Sequence, residues 1–320
     1  MLSPISPLNP AQPSHLPTRI VVIGAGAVGA TTAFTLVLRS RSSEVVLIDL
    51  QKDLARAQAL DMSHGSPFLG GTRVRAGDYA DCAAADIIIL TAGAAQRPGE
   101  TRQDLLGRNV KIMDSVLENI SQYNTDAILL VAANPVDVLS YYIWKKSGRP
   151  WQRVMGSGTL LDTARFRYLM GQHLEVDPRS IHGHIVGEHG DSEIPVWSRT
   201  NVAGVPVHLD AQEKDDIFTH TRDAAYQIIA AKGSTSYAIA LVLDRICAAI
   251  LHSESSVLNV STLLSNYHGI DDVYLSVPCV IDRDGVRQVL DLQPTTEEIV
   301  LLRNSAELMK ERIRTLPGPS

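Results

Sequence analysis

The sequence predicts an α/β fold: a doubly wound parallel sheet followed by an α+β domain. Three observations carry this. Short β-branched runs alternate with helical stretches through the first half. The first of these runs feeds into a glycine-rich turn and then a helix. Beyond about residue 156 the pattern changes to an antiparallel hairpin and a long terminal helix.

The chain opens on MLSPISPLNPAQPSHLPTR, with prolines at 4, 7, 10, 13 and 17. That spacing interrupts the apolar core a signal peptide needs and predicts a disordered or polyproline-like tail over residues 1–17. Arg19–Ile23 reads as a buried strand. Gly24-Ala25-Gly26-Ala27-Val28-Gly29 follows, then a helix through Leu38. A second strand, Glu44–Ile48, ends in Asp49. Further strands are expected at Asp86–Leu90 and Ala127–Val131, with a helix from about Asn109 to Tyr123 between them. These units make up an expected first domain, 18–156, and the remainder a second, 157–320.

In the second half, Tyr237–Leu251 is the most apolar stretch, but Asp244 and Arg245 lie in its middle. Each would cost roughly 2.5–3.5 kcal/mol at a bilayer centre, so the stretch predicts a buried helix and no membrane span. Val277–Ile281, a turn at Asp282–Gly285 and Val286–Leu290 predict the hairpin. Thr295 and Glu298 have the spacing of a capping box at the start of the terminal helix.

Composition narrows the function. The 320 residues are 45% hydrophobic, which suits a large core. The net charge of −6, with no basic run, argues against a nucleic-acid partner. Cys82, Cys247 and Cys279 lie far apart with no CxxC pair, as expected of a protein in the reducing cytoplasm.

The first chemical signal is Gly24-x-Gly26-x-x-Gly29 between strand and helix. Gly24 permits a tight turn, Gly26 lets backbone approach a pyrophosphate, and Gly29 lets helix and strand pack closely. The helix N-terminus then offers free N–H groups to phosphate. Asp49 falls twenty residues past Gly29. Read alone it merely ends a strand. In this context its carboxylate suits the adenosine ribose hydroxyls and repels a 2′-phosphate, so NAD is the expected cofactor of a Rossmann-type domain.

Four further clusters carry polar residues: Ala133-Asn134-Pro135-Val136-Asp137, the stretch from Gly156 to Arg167, Gly187-Glu188-His189-Gly190-Asp191, and a loop with Arg102. By composition each is ambiguous. An Asp and an Arg three apart on a helix usually form a surface pair, and a histidine beside acids is usually solvated.

Together, however, they resemble the L-2-hydroxy-acid dehydrogenases, the lactate and malate dehydrogenases. The segments LDTARFRYLMG and GEHGDSEIPVWS carry most of that resemblance. It extends from the glycine turn to the terminal helix. It implies reversible hydride transfer between a nicotinamide and the carbon bearing a hydroxyl. His189 then matches the general acid and base, as an imidazole can. Asp162 matches its carboxylate partner. Arg165 matches the residue gripping the substrate carboxylate, a task that favours a planar guanidinium. Arg102 matches the residue polarising the carbonyl. Asn134 matches an amide bonding the same region, before a cis Asn134–Pro135 bond. Thr235 and Ile239 match the lining of the substrate and nicotinamide pockets. The resemblance also places Val28, Gly93, Asn134 and Ile239 on the cofactor, beside Gly24, Gly26, Gly29 and Asp49.

Residues from about Gln96 to Asn109 resemble the family's mobile lid, which delivers Arg102. Gln96 matches the position that reads the substrate's third carbon. Malate-type members place an arginine there. A neutral Gln96 leaves a second substrate carboxylate unpaired, at roughly 3–5 kcal/mol, so pyruvate and L-lactate are the expected pair. Arg97, one residue on, is read as solvated. If it faced inward instead, a malate-type activity would follow; a broader L-2-hydroxy-acid dehydrogenase is a separate alternative. Arg167 and His182 match an anion site for fructose 1,6-bisphosphate between subunits, although members without this regulation carry the same pair. His184, two residues after His182, has the spacing of a metal pair on a strand, but no third ligand lies at a suitable spacing, so no metal is expected. The resemblance implies a homo-oligomer, most commonly a tetramer.

Overall fold

Strand β1 (Arg19–Ile23) is β-branched and almost wholly buried, as a central strand of a covered parallel sheet must be. In the computed structural model, which describes residues 17–94, 102–124 and 126–316, it pairs in parallel with β2 (Glu44–Ile48) and β4 (Ile87–Leu90). β3 (Arg73–Ala76) extends the sheet beyond β2. β5 (Ile128–Val131) and β6 (Val154–Gly156) extend it beyond β4, again in parallel. The helices between these strands are α1 (Ala27–Leu38), α2 (Lys52–His64), α3 (Arg102–Ser121) and α4 (Val136–Ser147). The strand order β3-β2-β1-β4-β5-β6 is doubly wound, the Rossmann-type arrangement expected.

The remaining elements are α5 (Leu160–Leu174), β7 (Ile181–His182), β8 (Ile185–Gly187), β9 (Glu193–Pro195), β10 (Asn201–Val202), β11 (Val205–Pro206), α6 (Ala211–Lys232), α7 (Tyr237–Leu251), β12 (Ser256–Leu264), β13 (Val273–Asp282), β14 (Gly285–Val289) and α8 (Thr296–Arg314). The large sheet does not stop at β6. β12 joins it antiparallel through Ser261 opposite Gly156, and β13, β8 and β9 continue it. At the seam a Cβ on Gly156 would sit 2.7 Å from Ser140 Oγ and 2.9 Å from Ser261 Cβ. One on Gly158 would sit 2.5 Å from the Ser261 nitrogen.

Several expected boundaries shift. α3 begins at Arg102, not at Asn109. Its apolar stripe starts a turn earlier, at Leu106, and continues through Val110, Met113 and Leu117, all buried. Asp104 in the first turn also suits the helix dipole. The second half of the expected lid segment is therefore helical. β4 and β5 each begin one residue later than expected. β13 begins four residues before Val277, and the hairpin turn tightens to Arg283-Asp284, with Asp282 opposite Gly285. The capping box forms: Glu298 N–H donates to Thr295 Oγ1 and Thr295 N–H to Glu298 Oε2. α7 is a helix with Asp244 buried, held by Arg41 at 2.6 Å and Arg39 at 3.3 Å. Among the described residues no helix is long and apolar enough to cross a membrane.

Candidate active site

α5 carries Asp162 and Arg165 one turn apart. Asp162 is buried and both its oxygens are engaged. Oδ1 accepts from Arg165 Nη1 at 2.7 Å, and Oδ2 lies 2.6 Å from His189 Nδ1. Burial pushes the Asp162 pKa upward, but the charge and hydrogen bond of His189, with Arg165, hold it below the usual range. An ionised carboxylate only accepts, so Nδ1 of His189 carries the proton. Burial pulls the His189 pKa down, and the charge and hydrogen bond of Asp162 outweigh it, raising the imidazole to about 9.

His189 sits on the connection between β8 and β9, and that connection is pinned from behind. The His189 backbone N–H donates to Asp137 Oδ2 at 2.7 Å. Asp137 belongs to the first turn of α4 and accepts from Ser261 Oγ on β12 at 2.6 Å. Burial pushes its carboxyl up to about 6, against the Ser261 and His189 hydrogen bonds. Glu188 is buried, pairs with Arg312 of α8 and accepts from Ser192. Its backbone N–H donates to Ser305 Oγ at 3.0 Å.

Asn134 precedes a cis bond to Pro135. Its backbone oxygen accepts from Asn109 Nδ2 at 2.7 Å, and Asn109 Oδ1 accepts from the Ala94 N–H at 2.7 Å. Buried Asn109 thus ties the end of the β4 connection to the start of α4. Asn134, Asp162, Arg165 and His189 all line one cleft of about 480 Å³. Glu193 of β9 lines it too. Asp162, His189 and Glu193 each offer one ligating atom within 4.8 Å of the others. Because both Asp162 oxygens already serve His189 and Arg165, this is an acid–base cluster in form.

The glycine turn forms a second feature. Gly24 has φ +108°, and a Cβ there would meet the Ala92 nitrogen at 2.6 Å. At Gly29 a Cβ would fall 1.8 Å from the Gly24 oxygen. Gly26 is exposed with nothing within 4 Å, and no side chain caps α1 there. An uncapped helix N-terminus over open backbone fits a dinucleotide pyrophosphate. Asp49 is half-buried at the end of β2 and accepts from the Ala25 N–H at 2.7 Å and the Gln51 N–H at 2.8 Å.

The other expected residues are dispersed. Val28 is half-buried on α1, and Gly93 is exposed after β4. Thr235 is half-buried between α6 and α7, and Ile239 packs from α7 against the core. None of these four lines the cleft. Arg167 donates from Nε to the Gly183 carbonyl at 3.1 Å, next to exposed His182. His184 is held by Asn259 at 3.0 Å. Arg102 is the first residue of α3, and Gln96 and Arg97 lie outside the described residues.

The NAD binding domain of the lactate/malate dehydrogenases matches residues 18–156, and their alpha/beta C-terminal domain matches residues 159–316. The chain belongs to the lactate/malate dehydrogenase family. Within that family it is 49% identical to an L-lactate dehydrogenase of a Thermoanaerobacter species, over 93% of this chain and 99% of that one. It is 46% identical to an L-lactate dehydrogenase of Acetivibrio thermocellus, over 93% and 97% of the two chains. Among solved structures, the minor L-lactate dehydrogenase of Enterococcus mundtii in its ligands-bound form superposes with a TM-score of 0.92 at 38% identity, covering 94% of this chain and 99% of that one. As a lactate/malate dehydrogenase family member, the protein is an NAD-dependent oxidoreductase.

Sequence reasoning missed three side chains that shape this lactate/malate dehydrogenase cleft. Asp137 was in plain view in the Asn-Pro-Val-Asp cluster, and Glu193 lies four residues past His189. Asn109 has no local signal, because its partners are backbone atoms 15 and 25 residues away.

Proposed function

We propose that the protein catalyses the NAD-dependent interconversion of L-lactate and pyruvate. The observation that carries this reading is Asp162, held between His189 and Arg165 in one cleft. The names of relatives at 46% and 49% identity support lactate as the substrate.

Gly24, Gly26, Gly29 and Asp49 would hold the adenosine and pyrophosphate, and Val28, Gly93, Asn134 and Ile239 the nicotinamide half. When bound, NAD supplies the hydride acceptor and NADH the donor. Arg165 grips the substrate carboxylate with its planar fork. His189, with Nδ1 committed to Asp162, presents Nε2 to the substrate oxygen. In reduction it gives that oxygen a proton; in oxidation it takes one. Asp162 stabilises the imidazolium. Arg102 and the Asn134 amide polarise the carbonyl. Gln96 and Thr235 bound a small methyl substituent.

We further infer a boundary near residue 156 between cofactor and substrate domains, a homotetramer and a cytoplasmic setting. Arg167 beside His182 supports an anion site for fructose 1,6-bisphosphate. The testing experiment is NADH oxidation with pyruvate and with oxaloacetate, each with and without the bisphosphate. Pyruvate is expected to win by roughly a hundredfold or more in kcat/KM, the lower end of an unpaired-charge penalty. Preference for oxaloacetate would make Arg97 the reader. A rate and apparent affinity unchanged by the bisphosphate would remove the second site.

A further inference from the structure

One buried ionisable group in the cleft has no task in this mechanism. Glu193 is only 6% exposed, and its Oε1 has no hydrogen-bond partner among the described residues. It lies within 4.8 Å of ligating atoms of both Asp162 and His189. The charged groups around it are already engaged. Asp162 serves His189 and Arg165. Glu188 serves Arg312. Asp137 accepts from Ser261 and the His189 N–H. Arg222 of α6 turns to Asp223 at 3.1 Å.

A second ionised carboxylate beside Asp162, in a buried wall, pays desolvation and like-charge repulsion together. Both effects act here: burial first, then Asp162, push the Glu193 carboxyl far above the usual range, while His189, Arg165 and Arg222 pull it back only in part. The charge count makes this matter. Within the hydrogen-bonded trio beside Glu193, Arg165 and protonated His189 against Asp162 leave one net positive charge for an anionic substrate, while the other acids of the lining, Glu188, Asp191 and Glu311, are matched among its described residues only by Arg222 and Arg312. Ionising Glu193 cancels the trio's charge.

We propose that Glu193 stands in the cleft wall as an un-ionised carboxylic acid, a positioning residue whose neutrality reserves Arg165 for the substrate carboxylate and His189 for the oxygen being reduced. The inference rests on the cleft binding a 2-oxo acid, as argued above. Glu193 keeps its proton throughout, and His189 remains the proton donor.

The test compares full-length wild type with Glu193→Gln. The pyruvate KM of each is measured from pH 7 to pH 10. The charge of Glu193 also raises the His189 pKa, so the His189 titration is read from the rate profile of each protein, and the ratio of wild-type to variant KM corrected for it reports on Glu193. That ratio is expected to climb about tenfold with pH, the effect of one added charge at close range. A constant ratio overturns the proposal, whether or not the variant is less stable. A ratio already about tenfold at pH 7 overturns it too, since Glu193 would then be a carboxylate throughout. Infrared spectra of the protein without cofactor or substrate give a second readout. At pH 8, above the Asp137 titration, wild type is expected to show the carbonyl stretch of an un-ionised acid. The band should vanish on alkaline titration and be missing from the variant. Wild type without such a band overturns the proposal even if the variant fails to fold. If pyruvate is not turned over at all, the infrared band still decides the state of Glu193, while the functional reading fails separately.

Discussion

At the scale of single residues the site depends on Asp162. Its charge is what keeps the His189 imidazole protonated up to about pH 9. A raised histidine pKa contributes stability that is complete below the free value near 6.5 and lost as pH rises through about 9. With His189 as the proton donor proposed above, pyruvate reduction should fall above about pH 9, while lactate oxidation should rise over the same interval. Asp162→Asn removes the charge and leaves burial, the opposing influence, in control. The reduction limb should then move to lower pH by more than a unit. The kcat/KM should fall roughly a hundredfold or more, from about 3 kcal/mol for leaving a buried partner unpaired. A pH–rate profile of the two proteins checks both. A limb that stays in place would mean that Asp162 orients the ring without setting its charge.

At the scale of elements, the glycine turn and α1 separate two uses of glycine. Gly29 is needed for the fold, because a Cβ would collide with the Gly24 carbonyl at 1.8 Å. Gly29→Ala should therefore lower stability by about 1–3 kcal/mol, the usual cost of overpacking. Gly26 has open space around it. Gly26→Ala should leave stability within about 0.5 kcal/mol yet weaken NADH binding. Thermal melts and fluorescence titration of NADH on both variants decide this; a Gly26 variant that binds NADH normally would move the pyrophosphate elsewhere. This turn was legible from sequence because its whole logic is local: a strand, three glycines, a helix and an acid at a fixed spacing. The start of α3 was not, because its first turn carries few apolar residues and Leu106 marks the stripe only once its burial is known. β12 and β6 were equally hidden. Their seam is a single register pair, Ser261 and Gly156, between positions 105 residues apart. The same distance conceals the site's support: Asp137, Ser261 and His189 come from three separate parts of the chain.

At the scale of the molecule, α7 closes onto the first domain through a buried charge. Asp244 is 1% exposed and meets Arg41 and Arg39 from the connection after α1. The sequence showed the charge in an apolar helix but not its partners, which lie more than 200 residues away. Asp244→Ala should cost stability toward the lower end of roughly 3–5 kcal/mol, since both arginines keep some access to water. A lowered melting temperature, with activity retained at low temperature, is the expected result. An unchanged melting temperature would show that the pair contributes nothing to the fold.

The seam at β6 and β12 has a consequence for modularity. Gly156 and Gly158 meet Ser140, Ser261 and the backbone of β12 with no spare volume. Ser261, whose Cβ faces this joint, also supports Asp137 behind His189 through its hydroxyl. The two halves of the chain are therefore not interchangeable cassettes. A chimera that takes its first half from one relative and its second from another inherits a mismatched joint unless these residues come from one parent. Such a chimera should lose the setting of His189 before it loses its cofactor site.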